Sequence, residues 1–444
     1  MRIGFARNDI TPRVGVELCG FGPYLNRHSI GVRERLFARA MAVEQAGTTL
    51  ALISNDLIGV SAATTQRVRQ LVGAATGLPA GQVMVHCTHT HSAPATIPIF
   101  GWGVADTPYL ETLPQRIAAA AIRAVANLRE ATLSYAEAPC EGVALNREYD
   151  VDAPPLEDVL RDEWRPARPE LTDATCHVLT ARANGQLLGF ASYFGCHPVV
   201  CCQQTRYIHG DYAGIATNLL ERECPGSVGL FLQGAQGDVN SCVVHKPEQE
   251  SLLALDVIAA RYARAVRHGI REAEPLAVDD LRLATRNVSF TRRPLTVPDL
   301  RERLAEQERM LQAPDATDAS AEVRMATVYA LAYRGLIAAL EAGQSVQEPT
   351  ELQAFGLGPL SLLGTPFEIF QAIKNEVKEA ALPSTALVMG LTNNCLGYAP
   401  DRTAAARGGY AADTVPLMLG QMPFHSIHDE LVRELAALQA ALRQ

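Results

Sequence analysis

Short apolar runs alternate along this chain with longer segments of helical periodicity, and this alternation limits the folds that the chain can adopt. The apolar runs are rich in aliphatic residues and have the length of buried strands. They are TTLALIS (48–54), QVMVHC (82–87), QLLGFASYF (186–194), SVGLFLQ (227–233) and TALVMG (385–390). Because helical patterns separate these strands, the sequence predicts an α/β fold, with a layered mixed sheet flanked by helices.

The helical segments show apolar residues at the spacing of one helix face. They lie at 107–128, 252–270, 297–311 and 320–342. The stretch QAPDATDAS separates the last two, and the apolar pattern of the second indicates core packing.

We expect a single large domain over residues 1–444, without a C-terminal β domain. An acidic, proline-bearing stretch at 150–172 is predicted to be a surface excursion or a lid. The segment 295–345 is predicted to be a helical insertion within the domain.

The charge distribution argues against a nucleic-acid partner, because the formal net charge is −9 and no basic run is present. The N-terminal MRIGFARNDITP lacks the apolar core of a signal peptide, and we expect no segment with the ~18–20 apolar residues of a membrane span. The 10 cysteines include no C-x-x-C pair. We expect reduced thiols and therefore a cytoplasmic protein.

The motif VMVHCTHTHSAP (83–94) places three histidines at the end of a predicted strand. His89 and His91 stand at i and i+2, so they share a face if the strand of 82–87 continues to them, and His86 then faces away. Neutral imidazole is the commonest metal ligand, and a zinc site needs about four N, O or S donors. The motif alone leaves open a metal site, a proton-transfer site and a solvated polar loop.

Further candidate groups follow other predicted strands. His197, in FGCHPVV, comes just past 186–194, and ligands of open α/β sheets collect at the carboxyl ends of strands. The glycine-rich LQGAQGDVN (232–240) offers backbone N–H groups to an anion or an oxyanion. Structural turns account equally well for the glycine-rich stretch.

Two aspartates are candidates for supporting roles. Asp56 follows the strand 48–54, where a carboxylate can orient a ligand histidine. Asp211 precedes a predicted helix at 212–223 and can cap it.

Three candidates lie late in the chain. Glu368 is predicted at the start of a helix, either as a first-turn carboxylate that the helix dipole favours or as a metal ligand. By pattern alone, Tyr398 and Tyr410 are packing residues with one hydroxyl partner each.

The chain resembles the catalytic domain of the neutral/alkaline (non-lysosomal) ceramidase family over nearly its whole length. The resemblance rests on motifs in the same order: NDITP, THTHSAP, NR, FGCHP, GD, QGAQGDVN, GTPFE and N-x4-Y-x11-Y. It implies a zinc-dependent amidase. Members of this family hydrolyse N-acylsphingosine, and many bacterial members act on other substrates. The implied partner is a small-molecule or acylated substrate, and a homo-oligomer is compatible with the resemblance.

The resemblance also implies which residues hold the zinc. Matched to the family motifs, the ligands fall on His89, His197 and Tyr398. The family's fourth ligand is a glutamate in P-G-E-F, but Thr365 occupies that position here. Glu368, three residues further on, is the candidate replacement, and water is the alternative.

The remaining matched positions imply contacts with the substrate. His91 and Arg147 resemble groups that contact the substrate or the transition state, and Tyr410 resembles a second active-site tyrosine. Asn240 stands where the family has a serine in G-D-V-S-P-N. The acidic residues expected to support the site are Asp56, Asp211 and Asp238.

Three functions remain open from the sequence. The first is a zinc hydrolase that cleaves an amide bond, with His91 as acid/base, Arg147 and Tyr410 near the oxyanion and Asn240 positioning the scissile group. The second keeps the metal but cleaves another bond: an ester, lactone, glycosidic bond or cyclic amide. The third is a non-catalytic binding protein. Trp102 is predicted to shape the pocket entrance.

Overall fold

Three sheets of four or five strands carry most of the β structure in the computed structural model, which describes residues 1–149, 154–345 and 349–443. All five predicted strands are present, with ends that differ by at most one residue from the prediction. The strands are β1 (Arg2–Asp9), β2 (Gly31–Val32), β3 (Phe37–Gln45), β4 (Thr48–Asn55), β5 (Val83–Cys87), β6 (Arg129–Glu130), β7 (Thr132–Pro139), β8 (Ala144–Asn146), β9 (Thr175–Ala183), β10 (Gln186–Phe194), β11 (Tyr207–Ile208), β12 (Val228–Gln233), β13 (Val239–Ser241), β14 (Glu274–Pro275), β15 (Leu281–Val288), β16 (Thr350–Leu357), β17 (Leu360–Gly364), β18 (Glu368–Ile369), β19 (Thr385–Met389) and β20 (Tyr398–Ala399).

The helices alternate with these strands, so the predicted α/β class is confirmed. They are α1 (Ala62–Thr76), α2 (Thr107–Ala126), α3 (Leu156–Val159), α4 (Asp211–Glu223), α5 (Glu248–Glu272), α6 (Val297–Leu311), α7 (Ala321–Glu341), α8 (Gln371–Ala381), α9 (Arg402–Arg407), α10 (Val415–Met418) and α11 (Ile427–Ala441).

Each large sheet is mixed, and its parallel strands form one pair at an edge. The strand orders are β5-β4-β3-β1-β6, β12-β10-β9-β7-β14 and β15-β16-β17-β19. The parallel pairs are β4/β5, β10/β12 and β17/β19. Parallel neighbours need a crossover connection, which α1, α4 and α8 provide. The carboxyl ends of these three pairs are where the candidate site residues lie.

The side-chain alternation of β3 shows how the layers are built. Ala40 and Ala42 lie in the cluster under α1 and α2, whereas Met41 and Val43 lie in a second cluster shared by the three sheets. Small residues on the helix side let the helix approach the sheet, and larger residues on the other side fill the space between sheets. Each fully buried large apolar side chain contributes about 1.5–3 kcal/mol through its burial.

Helices cover the outer faces of the sheets. The first sheet contacts α2, the second contacts α4 and α5, and the third contacts α8 and α11. Each covered face has its own cluster of buried apolar residues. The result is a layered arrangement with helices outside and sheets inside.

The helices α6 and α7 form a hairpin at the positions predicted for the helical insertion. Leu336 and Ile337 of α7 pack with Leu300 of α6. By length and composition alone, α7 is apolar enough to cross a membrane, although 33% of its most apolar window is buried inside the protein. The sequence reading expected no such segment, and a packed amphipathic helix meets the same criterion.

The predicted excursion at 150–172 falls partly on residues 150–153, which lie outside the described residues. The described remainder contains α3 and packs against α5. The Arg261 guanidinium donates to the carbonyl oxygens of Val159 at 2.7 Å and Arg161 at 2.8 Å. A role as a lid stays a prediction.

Candidate active site

The histidine motif leaves its strand earlier than the sequence reading assumed. β5 ends at Cys87, and His89 has a left-handed backbone with φ +69°. The cause lies in the chain after β4, where the carbonyl of Leu57 accepts the His89 N–H at 2.9 Å. The expectation that a continuing strand puts His89 and His91 on one face is therefore wrong. The turn still brings their rings to 4.9 Å.

Backbone carbonyls fix the direction in which two imidazoles present their lone pairs. Nδ1 of His89 lies 2.7 Å from the carbonyl oxygen of Ile58, and Nδ1 of His197 lies 2.5 Å from that of Gln236. A carbonyl oxygen can only accept, so each Nδ1 carries the proton. Each Nε2 therefore presents a lone pair on the other side of the ring.

Both lone pairs point towards the carboxylate of Glu368. Oε2 of Glu368 lies 3.0 Å from Nε2 of His197 and 3.3 Å from Nε2 of His89. Burial favours a raised pKa for Glu368, but His89 and His197 outweigh it and hold the pKa well below its usual range. Burial lowers the pKa of His197 to about 4. Three acceptor atoms thus converge on one buried point. Acceptors repel one another, so this arrangement is stable only when a cation or a proton lies between them.

A short parallel strand pair sets Glu368 beside Tyr398. β18 pairs with β20 so that Glu368 is opposite Tyr398. α8 begins only at Gln371, so the prediction that Glu368 starts a helix is wrong. The Oγ1 of Thr365 faces the backbone N–H of Phe367 at 3.4 Å. The residue that the structure places against the two histidines is Glu368.

Tyr398 links the acceptor cluster to the outer part of the site. Burial raises its pKa well above the usual value. Its ring centroid lies 6.4 Å from that of His197 and 5.9 Å from that of Tyr410. The Arg147 guanidinium lies 5.1 Å from the Tyr398 ring centroid and donates to the carbonyl of Gly237 at 2.6 Å.

His91 is held in the site without a partner for its ring. Within the described part of the chain, neither ring nitrogen has a hydrogen bond. Burial, then the neighbouring His89 and His197, lower its pKa well below the usual value. The backbone is fixed instead, because Arg27 donates to the His91 carbonyl at 3.1 Å. His91 is thus a neutral imidazole with a free donor and a free acceptor.

A cavity of about 340 Å³ opens in front of these groups. This volume is at the lower end of the range for small-molecule sites. Trp102 lines it, as predicted, and Tyr410 lies at its edge with 49% of its surface exposed. The polar side chains that line the cavity are His91, Arg147, His197, Asn240, His245, Tyr398 and Tyr410, and the main apolar ones are Phe21, Pro23, Trp102, Val199 and Met325.

Asp56 does not orient a ligand histidine, which corrects the prediction. Its Oδ2 accepts from the Arg39 guanidinium at 2.6 Å and from the Phe37 N–H at 2.9 Å. Both members of the Asp56–Arg39 pair are buried, and breaking such a pair costs about 3–5 kcal/mol. Ile58, two residues further on, supplies the histidine contact through its backbone carbonyl.

Asp211 and Asp238 support loops of the site. α4 begins at Asp211, one residue earlier than predicted, and its N-cap residue is Gly210. The Asp211 carboxylate still accepts a first-turn N–H, that of Tyr212 at 2.8 Å, and it also accepts the Val200 N–H at 3.2 Å, just after His197. Asp238 accepts from the Asn146 amide at 3.1 Å and from the Gln371 N–H at 2.9 Å, which ties β8 to the start of α8. Burial raises its pKa to about 7.

Sequence reasoning named His86 without a role and missed other residues of the site. His86 is a structural histidine, since its Nε2 accepts the Gln233 N–H at 2.8 Å. Phe21 was missed, although its ring packs edge-on against His91 at 5.2 Å. A Cβ at Gly20 would lie 2.5 Å from His91 Nδ1, so only glycine fits there. The glycines in CGFGP were the available signal.

Comparisons with known proteins agree with this architecture. A family model described as neutral/alkaline non-lysosomal ceramidase, N-terminal, matches residues 1–250. The structure of neutral ceramidase from Pseudomonas aeruginosa shares 20% identity and a TM-score of 0.76, covering 100% of this chain and 74% of that chain. A ceramidase complexed with C2 shares 19% identity and a TM-score of 0.76, covering 100% and 75%. At these identities the structural likeness shows a shared fold.

Proposed function

The chain belongs to the neutral/alkaline non-lysosomal ceramidase family, and from this premise we propose that it is a zinc-dependent hydrolase of an amide bond. The observation that carries the proposal is the convergence of three acceptor atoms, from His89, His197 and Glu368, on one buried point. Within the described residues these lone pairs face one another without a donor between them, and a shared cation satisfies all three.

The donor set suits zinc. Two imidazole nitrogens and one carboxylate oxygen are typical zinc ligands, and the Tyr398 hydroxyl is the fourth candidate. The Nδ1–H bonds to Ile58 and Gln236 are the outer contacts that hold ligand histidines in one tautomer. When bound, Zn²⁺ supplies a Lewis acid that polarises a carbonyl and acidifies water.

Side chains of the cavity supply proton transfer, oxyanion stabilisation and positioning of the scissile group. His91 is neutral and unpartnered, so it can take a proton from water and return it to the departing nitrogen. Arg147 and Tyr410 lie across the cavity, where their donors can stabilise an oxyanion. Asn240, whose backbone pairs with Leu145, is held where its amide can position the scissile group.

The substrate is an N-acyl compound, small or lipid-like. The structures to which the chain is similar are those of ceramidases, which supports an acylated substrate. We also propose a cytoplasmic location. All ten cysteines are free thiols and nine of them are buried, as is usual in a reducing compartment.

A second bond class remains a candidate because Asn240, rather than the serine that the family resemblance implies, lines the cavity. An amide side chain can both donate and accept, so it can also position an ester, lactone, glycosidic or cyclic amide group. A non-catalytic role is less compatible with His91, whose two buried ring nitrogens have no hydrogen-bond partner among the described residues. Unpaired buried nitrogens lower the stability of the fold, and no structural role of this side chain offsets that loss.

The test is hydrolysis by purified protein, loaded with zinc or freed of metal, on matched N-acyl substrates that include a short-chain ceramide. We expect amine release only from the zinc-loaded wild type, and no release from His89→Ala. His209→Gln is the matched control, because His209 is equally buried but lies outside the acceptor cluster. A folded, zinc-loaded protein that releases no amine from any substrate contradicts the proposal.

A further inference from the structure

One wall of the cavity carries three polar side chains with hydrogen-bonding groups that remain open to a substrate. Asn240 and His245 line the cavity, and within the described residues neither side chain makes a hydrogen bond to the protein. Arg147 lies beside them and appears in no ion pair of the described chain. Its guanidinium has five N–H donors; one binds the Gly237 carbonyl and another faces the Tyr398 hydroxyl, which leaves donors for a substrate.

The backbone holds His245 in a costly conformation. His245 has φ +56°, in the left-handed region that non-glycine residues rarely occupy. Such strain persists at functional sites when the surrounding structure imposes it. Both flanks of the residue are anchored: the Cys242 N–H donates to Val143 at 2.8 Å, and the Ser251 hydroxyl donates to the Lys246 carbonyl at 2.8 Å. The backbone therefore positions an exposed imidazole that packs edge-on against the Phe21 ring, at 6.0 Å between centroids, and makes no hydrogen bond to the described residues.

The charges of the cavity favour an anion. The only guanidinium in the lining is that of Arg147, and no carboxylate lines the cavity among the described residues. Glu368 lies behind the lining, against the histidines. Because a cation in a low-dielectric cavity attracts an anion strongly, a negatively charged group of a substrate is the natural partner of this wall.

The size of the cavity limits the rest of the substrate. A volume of about 340 Å³ is at the lower end of the range for small-molecule sites, which favours a compact substrate over a long-chain amide. The apolar side of the cavity, with Phe21, Trp102 and Met325, suits a compact aliphatic or aromatic side chain.

We propose that the substrate is a compact N-acyl compound with a carboxylate next to the amide nitrogen, as in an N-acyl amino acid, and that His245 is a specificity-determining residue. His245 receives the carboxylate, the Arg147 fork spans the carboxylate and the adjacent amide carbonyl, and Asn240 positions the scissile amide. This inference rests on the proposed amide hydrolysis. In that reaction water adds its oxygen to the acyl carbon, the C–N bond breaks and the nitrogen takes the proton, which yields a carboxylate and a free amino acid.

The experiment compares N-acetyl-L-leucine with N-acetyl-L-leucinamide, which differ in the charge of one group. Binding by calorimetry to zinc-loaded protein is measured first, and turnover second. Wild type is expected to bind the carboxylate about tenfold more tightly. His245→Ala is expected to reduce this preference several-fold, with little change for the amide. His245→Asn is expected to restore part of it, because asparagine tolerates a positive φ and retains a donor.

The outcomes separate the two proposals. Equal or tighter binding of the neutral compound by wild type overturns the substrate class, even if long-chain amides are hydrolysed. If His245→Ala loses the same binding affinity for both compounds, and His245→Asn recovers none of it, His245 has a structural role only. Preferential binding of the carboxylate without turnover of any amide supports the inference about the wall and contradicts the proposed hydrolysis.

Discussion

Two buried clusters of metal-type residues lie close together in this molecule, and they differ in the direction of their hydrogen bonds. One is the acceptor cluster of His89, His197 and Glu368, where a ring nitrogen of His91 also lies within 4.8 Å of those of His89 and His197. The other is formed by Cys201, His209 and Asp211, whose donor atoms all lie within 4.8 Å of one another. Residue type and proximity alone would rank the two clusters equally as metal sites.

Hydrogen bonding separates them. Nδ1 of His209 accepts the Asp211 N–H at 3.0 Å, so the neutral ring carries its proton on Nε2 and offers no lone pair there. The Asp211 carboxylate accepts backbone N–H groups of Val200, Cys201 and Tyr212. In the acceptor cluster, Nδ1 donates to a backbone carbonyl and Nε2 presents its lone pair towards Glu368. The two clusters contain similar residue types. What distinguishes the candidate metal centre is the histidine tautomer that the backbone imposes, because it decides whether Nε2 offers a lone pair.

The largest expected effect is on metal content in the two clusters. His89→Ala and His197→Ala are expected to lose nearly all bound zinc, because each removes one of the converging lone pairs. The loss in affinity should exceed the roughly 10- to 100-fold cost of changing an outer contact. Elemental analysis of the purified variants measures it. His209→Gln and Cys201→Ser should keep the wild-type zinc content, and zinc loss in either one breaks the comparison.

The second prediction sharpens the boundary of the acceptor cluster. Glu368→Gln is expected to lose most of the zinc, since a neutral amide replaces the charged ligand. Thr365→Val keeps the shape of the neighbouring side chain and should leave zinc content unchanged. Zinc titration into the metal-free variants gives both affinities. The reverse order of effects would restore Thr365 as the ligand.

The third prediction separates metal binding from proton transfer. His91→Gln is expected to keep its zinc and to lose about 10²- to 10⁴-fold in kcat, the usual contribution of a general acid or base. Metal content and steady-state kinetics on one N-acyl substrate decide it. If His91→Gln loses zinc instead, His91 belongs to the ligand set.

The smallest expected effect concerns the apolar side of the cavity. The chain has 2 tryptophans, and only Trp102 lines the cavity among the described residues. Trp102→Ala is expected to raise KM several-fold without changing zinc content. Trp164→Ala is the matched control, because it removes a partly buried tryptophan that packs against the apolar cluster of the second sheet and α5. Equal KM values in the two variants would remove Trp102 from the substrate site.

Much of the fold was predictable because strand formation here follows local apolar patterns. The strands that carry His89 and His197 at their carboxyl ends were predicted to within a residue. Glu368 was placed wrongly in a helix because its strand pairs with Tyr398, thirty residues away, and such a pairing leaves no local signal. The family resemblance, and not the residue pattern, singled out Tyr398.

The hydrogen-bond partners could not be predicted from sequence. Asp56 was predicted to orient a ligand histidine, but its carboxylate is buried against the Arg39 guanidinium instead. The left-handed turn at His89 replaced the expected strand continuation. His245 was overlooked because its conformation is imposed by anchors on both flanks that lie apart in sequence. Contacts of this kind depend on the assembled sheets.

The most direct test of the account is the anomalous scattering of crystals grown from zinc-supplied protein, measured at the zinc absorption edge. The account predicts one strong peak per chain, bounded by Nε2 of His89, Nε2 of His197 and the carboxylate of Glu368, and none beside His209. A peak in the Cys201–His209–Asp211 cluster, or no peak between the two histidines and Glu368, would contradict it.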